Sequence, residues 1–389
     1  MDPFERLPVE LIYHILLFTS DFVGVESLLT ASPRVRAVFL DRPGLIFQEM
    51  MDSNSMSSAA PIRKIIQKVR LLHSPSFNFH NFEEYIQCTE RTGDQLGIHS
   101  SDAEVLQMMQ ICVQIQRLAC TCLWTMQESF ISAVGASPAG VLSGSIRAQK
   151  AAKPFSWVEE SNIYWSLWHL RHYSDLHHYA SRLNWPEESR KKVRNYHRWN
   201  GIECMSTEYI SSVAAVLSDL GLSPVYSYPR LGEHKESIQA VWWYPSQTPP
   251  PLFHSFEFER GMNVPIWPLP PTPPDDLVSF VWNLDVKGCG RRTLLMDAYK
   301  NWAYLRPNTG YTRLSIQLYR RLGIFFWDSW RMYSTGLDIR GNFGLRRPAP
   351  DGDEELVELL GVHYAPVEEW RSRWLTLAGT MGDIVIAKR

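Results

Sequence analysis

Residues 7–18 read LPVELIYHILLF, and the reading of this stretch decides the fold. Leu11 and Ile15 lie four apart, and Ile12 and Leu16 repeat the spacing, so four large aliphatics crowd one side of a helix. Pro8 suits a first helical turn, where its missing N–H costs nothing, and Glu10 favours the positive end of the helix dipole. Working outward, VESLLTA (25–31) predicts a second short helix. Ser32-Pro33 predicts an N-cap followed by a proline at the first helical position. The third helix that follows carries Val35, Val38 and Phe39 on one side. Three such short helices make too small a core to stand alone. The apolar face of the first is covered either by the rest of the chain or by a partner.

The whole chain has 389 residues, enough for two or three domains, with 45% hydrophobic and 21% charged residues. That composition supports a sizeable core and argues against wholesale disorder. A net charge of −2 predicts no general attraction to nucleic acid or anionic membranes. No apolar run reaches the roughly 18 residues of a spanning helix, and MDPFERLP lacks the basic segment of a secretory signal, so an intracellular protein of cytoplasm or nucleus is expected. Cys88, Cys112, Cys120, Cys122, Cys204 and Cys289 show no Cys-x-x-Cys pair, which predicts reduced thiols rather than a zinc module or a disulfide framework.

The body of the chain reads as mainly helical. SNSMSSAAP (53–61) is a polar connector and a domain boundary by composition. Ser101 to Val134 predicts a long helix, with Ser101 and Glu104 as a capping box and Val105, Met108, Met109, Cys112, Ile115 and Leu118 at helical spacing. Gly135 to Lys153 reads as a flexible loop. Phe155 to Leu183 is aromatic-rich, and Trp165, Trp168, Leu176, Tyr179 and Leu183 share a broad face that is expected to be core rather than a ligand pocket. Further helices are expected over Glu187–Trp199 and Ser206–Leu220. Tyr244 to Asp276 holds ten of the chain's 25 prolines and reads as an extended, partly polyproline-II excursion. Its PxxP spacings suit an SH3- or WW-type domain, whereas Ile266, Trp267 and Leu269 suit packing on the protein itself. Leu277 to Lys300 offers a short strand or a helix start, and Ser315 to Tyr333 a helix-like pattern with six aromatics.

No pattern of chemistry stands out. His169, His172, His177 and His178 cluster on one helix without HExxH or similar metal spacing, GASPAG (135–140) is not a nucleophile elbow, and GCG (288–290) is only a fragment of a phosphate loop. Neither a catalytic residue, a metal site nor a cofactor is expected. Charge is more telling: Lys287 to Arg347 contains twelve Lys or Arg against three Asp or Glu, and Asp351 to Glu369 then carries seven acids and no Lys or Arg. The two blocks either pair internally or offer a basic surface to an acidic partner, with nucleic acid a remoter possibility.

With the residues set out, the N-terminal stretch resembles an F-box, in the form common in proteins of filamentous fungi. The family's Leu-Pro-x-Glu-Leu start is matched by Leu7, Pro8, Glu10 and Leu11. Its second landmark, Leu-Leu followed by Ser and a basic residue, is matched by Leu28, Leu29, Ser32 and Arg34, while Phe39 is the only candidate for the aromatic often found after it. The match covers about residues 4–50. EESNIYWSLWHLRHYSDL (159–176) and the 315–333 segment also look like the uncharacterised helical bodies that accompany such F-boxes. The resemblance implies a three-helix F-box over 1–50 and, over 51–389, a larger irregular, aromatic-rich helical domain interrupted by the Pro-rich extended loop. It also implies a non-catalytic substrate receptor of an SCF ubiquitin ligase, which docks the Skp-family adaptor, and through it a cullin, and recruits a protein substrate through its C-terminal body. The family match puts Leu7, Pro8, Leu11, Ile12, Ile15, Leu28 and Val35 at or beneath the adaptor interface. Within the basic region, Arg313, Arg320, Arg321 and Arg331 mark a possible substrate surface. The alternative is an F-box-like interaction or structural protein acting outside ubiquitination.

Overall fold

The computed structural model describes residues 2–91, 101–136, 152, 154–195, 207–220 and 316–327, and these are mainly helical. No strand occurs among the described residues. The Pro-rich 244–276 segment, the Leu277–Lys300 segment and the acidic 351–369 block lie outside them, as does the 135–153 loop apart from Gly135, Ala136 and Ala152.

Three short helices open the chain: α1 (Val9–Phe18), α2 (Phe22–Ala31) and α3 (Pro33–Asp41). Pro8 is the N-cap of α1, one position earlier than the first turn, and brings no side-chain cap. α2 begins three residues before the expected Val25, because the Asp21 carboxylate accepts from the N–H groups of Val23 and Gly24 and caps it there. α3 starts as its sequence predicts: the Ser32 side chain accepts from Val35 N–H, and Pro33 fills the first helical position. A fourth helix, α4 (Pro43–Ser53), follows immediately and buries Ile46, Phe47, Met50 and Met51.

The connector at 53–61 is a packed turn. Asn54 and Ser57 are buried; the Asn54 amide donates to Ser20 O at 2.7 Å, and its Oδ1 accepts from Met56 and Ser57 N–H at 3.0 Å each. It leads into α5 (Ala60–His73), whose Ile62, Ile65, Ile66, Val69 and Leu72 form an unbroken buried stripe, and then α6 (Phe82–Arg91).

Two long helices form the centre. α7 (Asp102–Ala136) begins at a reciprocal cap: Ser101 N–H donates to Glu104 at 2.8 Å, and Glu104 N–H donates to Ser101 Oγ at 3.3 Å. α8 (Trp157–Arg182) carries a second capping box, formed by Ser156 and Glu159. α5, α7 and the later α10 (Thr207–Asp219) all pack along α8, while α2 and α4 lie against α7. α9 (Glu187–Arg194) is shorter than the Glu187–Trp199 reading, of which residues 196–199 lie outside the described set.

The 315–333 segment does not continue as one helix. α11 (Ile316–Arg321) stops at Gly323, which takes φ +71°, and a single 3-10 turn, Ile324–Phe326, follows. A Cβ on Gly323 would also meet Met126 Sδ at 2.7 Å, so a side chain there would be strained by the backbone and would force Met126 to shift. Trp327 then lies on Phe130 of α7, ring centroids 4.1 Å apart. One hydrophobic cluster runs from Ile12 in α1 to Trp327, so the N-terminal helices and the later ones share a core.

Candidate docking surface

The four aliphatics of α1 divide between two directions. Ile12 and Leu16 are fully buried, each contributing about 1.5–3 kcal/mol by burial. Leu11 is 50% exposed and Ile15 half-buried, while Phe18, seven positions on from Leu11, is 85% exposed. Leu11, Ile15 and Phe18 therefore form an apolar stripe beside the buried one, with exposed Pro8 just before the helix, while Val9, 49% exposed, lies across the buried face from them. His14 stacks on Phe18 with ring centroids 6.2 Å apart. Leu7 and Leu28 are partly buried and pack against the core. Val35, like Ile12, is core; these two lie beneath the surface and support it. Sequence reasoning missed Phe18, although its spacing from Leu11 and Ile15 carried the signal.

Residues before α1 are pinned to the start of α3. The Asp2 carboxylate accepts from Ser32 Oγ at 2.6 Å, from Phe4 N–H at 2.9 Å and from Arg34 N–H at 3.4 Å. The Ser32 and Phe4 hydrogen bonds hold the Asp2 carboxyl below its usual range, against a small opposing effect of burial. Arg34 Nη2 donates to Leu7 O at 2.8 Å.

The histidine cluster of α8 divides: His169 and His172 are buried, His177 is half-buried and His178 is exposed. His172 Nε2 lies 2.6 Å from the Tyr85 hydroxyl, and His169 packs against Trp165 at 4.1 Å. Burial pushes His172 well below its usual pKa and Tyr85 well above, so both stay neutral and act as a buried polar pair. His73 is tied to Asp175 at 2.8 Å, a carboxylate that Arg171 also holds at 2.7 Å. Among the described residues no three His, Cys, Asp or Glu side chains converge as metal ligands. Trp165, Trp168, Leu176 and Tyr179 are all buried.

Of the arginines read as a possible substrate surface, Arg313 and Arg331 lie outside the described residues. Arg320 is 6% exposed and so is not a surface group: it sits between buried Tyr319 and the Leu322–Trp327 core. Arg321 is half-buried and its Nε donates to Asp219 at 2.8 Å, an internal pairing of the basic segment with α10.

Against family models, curated proteins and solved structures alike, the chain finds no match. Among the described residues, no helix is long and apolar enough to cross a membrane.

Proposed function

We propose that this protein is the substrate-receptor subunit of an SCF-type ubiquitin ligase, with α1–α3 as an F-box that docks a Skp-family adaptor. The reading is carried by the two landmarks, Leu7-Pro8-x-Glu10-Leu11 and Leu28-Leu29 with Ser32 and Arg34. It is supported by the exposure of Pro8, Leu11 and Phe18, apolar residues on one side of α1 of the kind that protein partners cover. In this reading the chain is intracellular and performs no chemistry itself; it raises the effective concentration of a bound protein near the ligase. The remainder of the helical body holds that substrate.

The test is a pull-down of the full chain with purified Skp-family adaptor, comparing wild type with Leu11→Ala/Phe18→Ala. Both side chains are exposed, so the variant keeps its core. Binding by wild type and its loss in the variant supports docking through this face. A well-folded wild type that ignores the adaptor refutes it. Adaptor binding without cullin recruitment would favour an F-box-like role outside ubiquitination.

A further inference from the structure

The two landmarks touch. The Arg34 guanidinium donates from Nη2 to the carbonyl oxygen of Leu7 at 2.8 Å, joining the basic residue of the second to the first residue of the first. Beside it, Ser32 Oγ and the Arg34 backbone N–H both donate to Asp2, at 2.6 and 3.4 Å. Between these two attachments the chain folds into a tight turn, with Glu5 N–H donating to Asp2 O and Leu7 N–H to Phe4 O at 3.1 Å each. Asp2–Leu7 is thus fastened to the N-terminus of α3 at both ends.

This arrangement supplies something α1 lacks. The helix begins on Pro8, which has no side chain able to cap it, so its first turn is not held by the usual local device. Arg34 Nε is buried without a hydrogen bond, so the side chain's inward placement carries a cost. The side chain is drawn inward, where its Nη2 reaches the Leu7 carbonyl.

We propose that Arg34 and Asp2 are positioning residues for the docking face: by holding Asp2–Leu7 on α3, they fix where α1 begins and how Pro8 and Leu11 are presented. The inference rests on the adaptor-docking reading. It assigns the basic residue of the second landmark an internal task, holding the first landmark in place, rather than a contact with the partner.

The experiment uses the full chain and purified Skp-family adaptor, with Kd measured by calorimetry for wild type, Arg34→Ala, Arg34→Lys and Asp2→Ala. Loss of a charge-assisted hydrogen bond that holds the face predicts Kd raised by about tenfold or more in Arg34→Ala. Lysine can still donate to the Leu7 carbonyl, so Arg34→Lys should restore binding to within about threefold of wild type. Asp2→Ala should fall between them. Amide hydrogen exchange should quicken over residues 4–11 in Arg34→Ala while the α7 amides stay protected, which separates loss of positioning from loss of folding. Arg34→Ala binding as wild type does, or alanine and lysine variants weakened equally, would overturn the proposal. Failure of wild type itself to bind would instead remove the docking reading on which it stands.

Discussion

Replacing Gln116 with leucine would test how the N-terminal helices are joined to the rest of the molecule. Gln116 is buried in the middle of α7, and its Oε1 accepts from Phe22 N–H at 3.0 Å and Val23 N–H at 3.3 Å. Its amide nitrogen donates to Asp21 Oδ1. Val23 keeps a second acceptor in Asp21 at 3.2 Å, and Gly24 N–H donates to Asp21 at 2.9 Å, so the loss concentrates on Phe22. An orphaned buried donor costs about 1–3 kcal/mol and a lost side-chain hydrogen bond about 0.5–1.5 kcal/mol, which puts Gln116→Leu at about 3 kcal/mol. For a folding unit of this size each kcal/mol moves Tm by about 2–4 °C, so calorimetry should record a fall of about 6–12 °C. Hydrogen exchange should show the Phe22 to Gly24 amides opening first. Gln116→Glu sharpens the test: it keeps an acceptor for Phe22 but sets a second carboxylate against Asp21. Its deficit should be largest near neutral pH and shrink as pH falls through the carboxylate range. A Gln116→Leu protein within about 0.5 kcal/mol of wild type would refute the reasoning.

Adjacent positions on α1 should behave oppositely. Leu11→Asp, at an exposed site, should leave urea stability within about 0.5 kcal/mol of wild type yet abolish adaptor capture, whereas Ile12→Ala should cost about 2–5 kcal/mol. Burial and neighbouring Lys64 bring the Lys68 amine from 10.5 down to about 8. Because the unfolded chain then binds more protons, wild-type stability should rise from about pH 8 towards 10.5, and Lys68→Met should lose that rise in pH-dependent urea titrations. Burial raises the Cys112 and Cys122 thiols, so a thiol reagent at pH 8 should label neither in the native protein and both in denaturant, as read by peptide mass spectrometry.

The helices most legible in the sequence are those with local signals at both pattern and cap. α3 announces itself through Ser32-Pro33, and α7 through Ser101 and Glu104 followed by residues at helical spacing that are all buried. α5 carried an equally clear stripe, Ile62, Ile65, Ile66 and Val69, but the small polar residues before it read as a linker. Asn54, Met56, Ser57 and Ala59 among them are nevertheless buried, with Ser57 Oγ donating to Met51 O at 2.8 Å. Within α1, periodicity grouped Leu11 and Ile15 with Ile12 and Leu16; adjacent stripes are indistinguishable by spacing, and only the packing of α3 and α4 decides which one is covered. The Phe22–Gln116 bond spans 94 residues and Tyr85–His172 spans 87, distances over which no local pattern speaks. Arg320 shows the same limit: its place in a basic stretch suggested a surface, while the turn at Gly323 folds the neighbouring aromatics into the core around it.

The attachments of the N-terminal helices bear on what the proposed function requires. α2 is held to α7 by Gln116 and by Arg117 with Glu26, and Asn54 at the end of α4 reaches back to Ser20 O. A receptor that works by proximity depends on the span between its two binding faces, and a flexible tether dilutes the effective concentration as it lengthens. Here α1–α4 join the later helices through a shared core and a buried turn, with no flexible linker among the described residues between Asp2 and Arg91. If α1 docks an adaptor, its orientation is transmitted directly to α7 and α8, and a substrate held on those helices stands at a fixed distance from the ligase. In the same construction Gln116, remote from the exposed stripe, bears on that orientation: its loss removes one tie between α2 and α7, while Leu11 and Phe18 remain untouched.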